Sequence, residues 1–164
     1  MKFPEKDYCL LKSEGVPEYT MGVTNSGGGN QTQLGVCFYR KKIIKMNKHL
    51  ILHRDKYPNA YLSTFLHEIA HAQMPRENHN WRWKMAFNKL KMKYGLDENK
   101  VKAENKLFNE EVLGELRKKY AKQIWKCPMS DKLIYYKKIK KYPVHRYRCK
   151  TCKSVMEEVW RVKK

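Results

Sequence analysis

Acidic residues are scarce in this sequence. Asp and Glu number 16 against 36 Lys and Arg, so the formal net charge is +20. A balance this basic favours a polyanionic partner, with nucleic acid ahead of an anionic membrane surface. A lysine-rich composition is also found on surfaces that bind nothing specific, and this remains the alternative.

Long hydrophobic runs are also missing. The longest apolar stretches are far shorter than the roughly 20 residues that a membrane-spanning helix needs. The first twenty residues contain no apolar segment of the kind found in signal peptides. We therefore expect a soluble, intracellular protein with no membrane partner, and we expect it to be a monomer.

The order of apolar and turn-forming residues predicts an α+β fold. Apolar runs within 18–24, 33–39 and 43–46 predict a small antiparallel sheet, and residues 1–17 are expected to be irregular. Helical spacing then predicts a helix that Asn59 caps and Pro75 ends, and a second helix from Trp81 to about Tyr94.

The remaining chain divides into a connecting segment and a small module. An apolar stripe predicts one amphipathic helix from Asp97 to about Ile124, followed by short β-like runs around the last cysteines. The predicted domains are a metal-binding domain at 1–96, a connecting helix at 97–124 and a basic β module at 125–164.

The most informative motif is His67-Glu68-Ile69-Ala70-His71, inside the first predicted helix. Residues four apart on an α-helix project about 40° apart, so His67 and His71 can bind one Zn²⁺ together. Glu68 would lie beside the metal, where it can take a proton from a metal-bound water and pass it to a leaving amine. The alternative is a helix whose His and Glu side chains are ordinary surface groups.

A catalytic zinc needs a third protein ligand and an open coordination position. His79 is the best candidate, because Pro75 ends the helix and the short link 76–78 lets the chain turn back. His49 and His53 precede the motif in a basic stretch and are more typical of surface histidines.

The ordered set of motifs resembles the SprT-like metalloprotease family. The matching segments are Leu34–Cys37, Ile43–Leu50, His67–His71, His79–Lys84 and Tyr147–Cys152. The resemblance covers roughly residues 18–94 and 125–155. It implies a zincin-like fold, with His67, His71 and His79 as zinc ligands and Glu68 as catalytic base, followed by a zinc ribbon. It also implies a role at DNA, since the family includes proteases that cut proteins crosslinked to DNA.

The sequence departs from the family pattern at several points. Asn80 stands where Gly is common, and the short segment before the sheet suggests that the family's first helix is missing. In the ribbon, Cys127-Pro-Met-Ser130 replaces the first Cys-x-x-Cys pair. The spacing of Cys149 and Cys152 indicates a metal site in preference to a disulfide bond.

Two readings of the ribbon stay open. Either Cys127, His145, Cys149 and Cys152 hold a second, structural zinc, or the ribbon has lost its zinc and folds on apolar contacts alone.

Positive charge is concentrated toward the end of the chain. From Arg117 to Lys164 there are 17 Lys and Arg against 3 Asp and Glu, a net +14. Tyrosines alternate there with cations, as in grooves that bind phosphates and stack bases without reading sequence; the alternative is a solvated hairpin with tyrosines in its core. The candidate DNA-binding cations are Lys137, Lys138, Lys140, Lys141, Arg146, Arg148 and Lys150.

These features together predict a zinc metalloprotease that acts on proteins at DNA, with single-stranded or non-sequence-specific DNA and a protein substrate as partners. The second hypothesis is a DNA- or RNA-binding protein that keeps the metalloprotease fold without activity. A zinc hydrolase with a non-protein substrate is the third.

Overall fold

The computed structural model describes residues 3–25, 33–130, 132–136 and 148–162. They form two compact units, the first ending at Asn109 and the second beginning at Glu110. Each unit contains a three-stranded sheet, and helices lie between and around the strands, so the fold is mixed α+β. Among these residues, no helix combines the length and apolar character needed to cross a membrane.

The sheet of the first unit is mixed, which corrects the prediction of an antiparallel sheet. Its strands are β1 (Thr20–Thr24), β2 (Gly35–Phe38) and β3 (Ile43–Asn47), in the order β1-β3-β2. β2 and β3 are antiparallel, but β1 runs parallel to β3. Alternation of side chains predicts a strand without recording the direction of its neighbour, so the sequence could not distinguish these arrangements.

A helix precedes the sheet, and the prediction of an irregular start without a first helix was wrong. α1 (Glu5–Ser13) begins directly after Pro4, at a helix end where proline's missing N–H costs nothing. Tertiary contacts fix this short helix: Leu11 is buried, and Tyr61 donates a hydrogen bond of 2.6 Å to the buried Asp7 carboxylate. Because nine residues are marginal as an isolated helix, the sequence signal was weak.

The central helix of the first unit is α3 (Pro58–Gln73), which packs against β2, β3 and two later helices. Pro58 occupies its first turn, so Tyr57, and not Asn59, is the N-cap. The Glu104 carboxylate accepts a hydrogen bond of 2.9 Å from the Ala60 N–H and thus replaces a side-chain cap. The short helix α2 (Lys48–Leu52) connects β3 to this segment.

The helix after the motif agrees closely with its prediction. α4 spans Trp81–Lys93, and the Asn80 side chain caps it by accepting a 3.1 Å hydrogen bond from the Trp83 N–H. Gly95 follows with φ of 60°, the left-handed conformation that commonly ends a helix.

The predicted single helix from Asp97 to Ile124 is interrupted and ends early. α5 (Glu98–Leu107) is followed by a π-helical segment at Phe108–Leu113 and then by α6 (Gly114–Tyr120). The extra residue per turn in a π-helix shifts the apolar stripe, so a constant helical period misrepresents this region. Ile124 already belongs to a strand.

The second unit contains the β-rich module expected after Trp125. Its strands β4 (Gln123–Lys126), β5 (Leu133–Tyr136) and β6 (Glu157–Arg161) form an antiparallel sheet in the order β5-β4-β6. The core beside this sheet is small. It consists of the buried side chains of Trp125, Cys127, Cys149 and Met156, with Ile134 and Tyr136 packed against them.

Candidate metal centres

The structure brings the three predicted histidines of the first unit together. His67 and His71 lie one turn apart on α3, and His79 approaches them from the loop before α4. The Nε2 atom of His79 is 3.1 Å from that of His67 and 3.1 Å from that of His71. We call this group the three-histidine cluster.

His79 reaches the cluster through an unusual backbone conformation. Its φ is 54°, and that of Arg76 in the same loop is 76°, so both residues adopt left-handed conformations. Such conformations cost free energy in residues other than glycine and tend to occur at functional sites, where surrounding contacts maintain them. Asn80 stabilises the end of this loop, because its side chain caps α4 and bonds to the Glu77 carboxylate.

An aromatic platform supports the cluster from α4. The Trp83 ring lies 4.6 Å from that of His67, 4.9 Å from His71 and 4.4 Å from His79, measured between centroids. Phe87, one turn later, stacks on Trp83 at 5.1 Å. The sequence assigned both residues to the apolar face of a helix but gave no indication that this face lies against the histidines.

The environment keeps the imidazoles of His67 and His71 neutral by lowering their pKa values. Burial, followed by the charges of His71 and His79, lowers the pKa of His67 to about 4. Burial and His79 also lower the pKa of His71, while a hydrogen bond to the Glu77 backbone opposes that shift. Metal binding requires deprotonated imidazole nitrogens, so these ligands need not lose a proton at neutral pH.

The three-histidine cluster fits a zinc ion. Zn–N bonds of about 2.0–2.1 Å in a tetrahedral site put the ligand nitrogens about 3.3 Å apart, close to the separations found here. Three imidazoles also match the donor set of catalytic zinc sites, which leave a fourth position open.

Glu68 is buried next to the cluster and packs directly against β2. Glu68 is only 5% exposed. Burial raises the pKa of its carboxyl to about 7, although a hydrogen bond from the Cys37 backbone lowers this pKa in part. A Cβ atom added at Gly35 would lie 2.7 Å from Oε1 of Glu68. Glycine is therefore required at position 35 for the observed position of Glu68.

A cavity of about 350 Å³ opens in front of these residues. The three histidines and Glu68 line one side, the edge strand β2 lines another, and Arg76 and Tyr39 contribute polar groups. Tyr57 and Tyr61 do not line this cavity, because both are buried in the core and Tyr61 is bonded to Asp7.

The second unit contains a three-cysteine cluster formed by Cys127, Cys149 and Cys152. Their sulfur atoms all lie within 4.8 Å of one another, and Cys127 Sγ is 3.3 Å from Cys152 Sγ. Zn–S bonds of about 2.3 Å put tetrahedral sulfur ligands about 3.8 Å apart, so this cluster is also compatible with zinc.

Serine hydroxyls surround the three-cysteine cluster. Ser130 Oγ lies 3.7 Å from Cys149 Sγ, and Ser154 Oγ lies 3.5 Å from Cys127 Sγ. Hydrogen bonds from Ser130 and Ser154 lower the pKa of Cys127 to about 6, which favours the thiolate that binds metal. His145, the predicted fourth ligand, lies outside the described residues.

Two of the seven predicted DNA-binding cations lie within the described residues. Lys137, Lys138, Lys140, Lys141 and Arg146 lie outside the described residues. The other two, Arg148 and Lys150, are exposed beside the three-cysteine cluster, and Arg148 donates a 3.1 Å hydrogen bond to the Lys153 carbonyl.

Comparison of the chain with protein-family models, curated proteins and solved structures gives no match.

Proposed function

We propose that the protein is a zinc-dependent metalloprotease of SprT-like type, with a zincin-like active site, that cleaves proteins associated with or crosslinked to DNA. The observation that carries the proposal is one constellation in the first unit. Three imidazole nitrogens with zinc-like separations and a buried carboxylate line the same cavity. A protein that only bound nucleic acid would need neither the third histidine nor Glu68.

Each residue of the constellation has a separate role. His67, His71 and His79 would hold a zinc ion, which would supply a Lewis acid for the activation of water and of the scissile carbonyl. Glu68 accepts a proton from the attacking water and donates it to the leaving amine. Its contact with Gly35 and the Cys37 backbone holds the carboxylate in position for both transfers.

The strand β2 suits a polypeptide substrate. Among the described residues it pairs only with β3, and Gly35, Val36 and Cys37 line the cavity. An extended peptide can add to such an edge through backbone hydrogen bonds, which would bring its carbonyl groups past the metal. This geometry favours a protein substrate over a small hydrolysable molecule.

The role at DNA is supported by charge. The last part of the chain carries a net +14, and neutralisation of phosphates by Lys and Arg drives binding that does not depend on base sequence. The basic module would concentrate the enzyme on DNA, where bound or crosslinked proteins become its substrates.

Proteolysis by the zinc-loaded protein tests the proposal. We expect cleavage of a DNA-bound protein, or of the enzyme itself, to increase with single-stranded DNA and to be lost in Glu68→Gln. The variant should retain one zinc at the three-histidine cluster, measured against His71→Ala by metal analysis. Absence of metal at that cluster, or cleavage that survives in Glu68→Gln, would contradict the proposal.

The second candidate is a DNA- or RNA-binding protein without protease activity, which the basic charge also favours. Tight DNA binding by a zinc-loaded protein that cleaves no DNA-bound substrate would support it. Under both candidates Glu68→Gln should leave DNA affinity unchanged, so only the loss of cleavage distinguishes them.

A further inference from the structure

The helix α4 presents large apolar side chains on two different faces. Trp83 is buried against the three-histidine cluster, as described above. On another face, Trp81 is 65% exposed and Met85 is 62% exposed. Because residues 81, 85 and 89 are spaced by four, they form a continuous stripe along this second face.

This face forms one wall of a groove of about 610 Å³. Its apolar lining includes Trp81, Met85, Ala86 and Leu90, together with Met74 at the end of α3. Pockets that bind small ligands or side chains usually measure about 300–1,000 Å³ and are mostly apolar. Tryptophan and methionine are typical of surfaces that bind varied partners, since they offer large and adaptable contact areas. We call this feature the apolar groove.

The apolar groove borders the metal-site cavity. Met74 lines both, and it follows His71 by less than one helical turn. A polypeptide that lies extended across the metal site could therefore place a neighbouring side chain over Met74 and into the groove. This shared border favours an occupant that also enters the active site.

The charges around the groove favour an acidic neighbour for that side chain. Glu14 is already paired with Lys93, with 2.8 Å between the carboxylate oxygen and Nζ. Arg82 is 3.8 Å from Glu77, also between charged atoms. Lys89 lines the groove and forms no ion pair with any residue that the structure describes. An acidic group on the ligand would supply the missing partner.

We propose that the apolar groove is a specificity subsite of the proposed protease, which holds a large apolar side chain of the substrate polypeptide with an acidic residue beside it. The inference rests on the proposed function, because only a protease would bring a substrate polypeptide to this groove. A nucleic-acid base is the competing occupant, because Trp81 could stack on it. The Glu14 side chain, which is only 6% exposed, and the position of Met74 between groove and cavity favour the peptide.

Peptide binding to the full-length, zinc-loaded Glu68→Gln protein tests the subsite without cleavage. Three fluorescent peptides would differ only at two adjacent positions, which carry Leu-Glu, Ser-Glu or Leu-Lys. We expect the Leu-Glu peptide to bind about tenfold more tightly than either of the others, as measured by anisotropy. Trp81 emission should shift to shorter wavelength on binding, and Trp81→Phe should remove that shift.

A matched pair of methionines on α4 provides the control. Met85→Ser should lower the affinity for the Leu-Glu peptide about tenfold, which is the effect of losing one central apolar contact. Met92→Ser should leave binding unchanged, because Met92 lies outside the groove lining and is 83% exposed. Lys89→Glu should reverse the preference between the Leu-Glu and Leu-Lys peptides.

The outcomes separate this inference from the proposed function. If the unmodified enzyme cleaves protein but neither Met85→Ser nor Lys89→Glu alters peptide preference, the subsite is wrong and the protease stands. If Met85→Ser weakens the binding of single-stranded DNA and leaves peptide binding unaffected, the groove holds a base and the inference is wrong. Peptide binding that depends on Met85, in a protein that cleaves nothing, would support the groove and contradict the protease.

Discussion

The three-histidine cluster and the three-cysteine cluster are built on different kinds of support. His67 and His71 project from α3, whose opposite face is fully buried through Phe65, Leu66 and Ile69. The cysteines belong to their own core, because Cys127 and Cys149 are two of its four buried residues. The first unit can therefore fold around its metal site, whereas in the second unit the metal site and the hydrophobic core largely coincide.

This difference corresponds to two uses of zinc. Catalytic sites keep an open position beside three protein ligands, as the cavity in front of the three-histidine cluster allows. Structural sites are closed and contribute directly to folding. We interpret the three-cysteine cluster as structural and the three-histidine cluster as chemical, and the following predictions test that distinction.

The largest expected effect comes from removing metal. A strong chelator should unfold the sheet of the second unit, because structural zinc contributes about 10 kcal/mol in small modules. The first unit should retain its fold, since its core does not include the metal ligands. Amide hydrogen exchange should show fast exchange in β4, β5 and β6 with continued protection in α3. Protected strands after verified zinc loss would mean that the cysteines are an ordinary apolar core.

A change at Gly35 should remove the proposed proteolytic activity without removing the proposed metal site. The added methyl group of Gly35→Ala conflicts with the Glu68 carboxylate and must displace it. A displacement of about 1 Å can lower a catalytic rate roughly a hundredfold. We therefore expect Gly35→Ala to lower the turnover rate by about that factor and to leave the zinc content unchanged.

Gly22→Ala is the matched control in the same sheet. There the new Cβ meets Cγ of Lys45 at 3.0 Å, a contact that a shift of a few tenths of an ångström relieves, and it does not meet Glu68. Comparable losses in both variants would attribute the effect to the sheet and not to Glu68.

The smallest expected effect concerns the aromatic platform. Trp83→Ala should weaken zinc binding about tenfold to a hundredfold, the range typical of residues that orient metal ligands. Trp83→Phe should recover most of the affinity, because a smaller ring can still contact the imidazoles. Competition with a chromophoric chelator measures both values. Unchanged affinity in Trp83→Ala would mean that α3 and the His79 loop hold the histidines unaided.

Local geometry explains which parts of the first unit could be predicted. The spacing of His67 and His71 fixes their common face once the segment is helical, and Pro75 forces a break before His79. α4 was predictable because its limits are also set locally, by the Asn80 cap before it and by Gly95 after it. α1 and the N-cap of α3 were not, because α1 is stabilised by Tyr61 and the start of α3 by Glu104, both far away in sequence.

The sequence by itself determined that two histidines and a glutamate share one helix, that a third histidine follows a helix break, and that three cysteines occur in a basic module. These features depend on helical periodicity and on short chain distances. Only the tertiary structure decided the direction of β1, the contact of Gly35 with Glu68, the position of Trp83 behind the histidines and the exposure of Met85. Each of these depends on how segments distant in the chain pack together, and pairing and packing across such distances leave no periodic signal in the sequence.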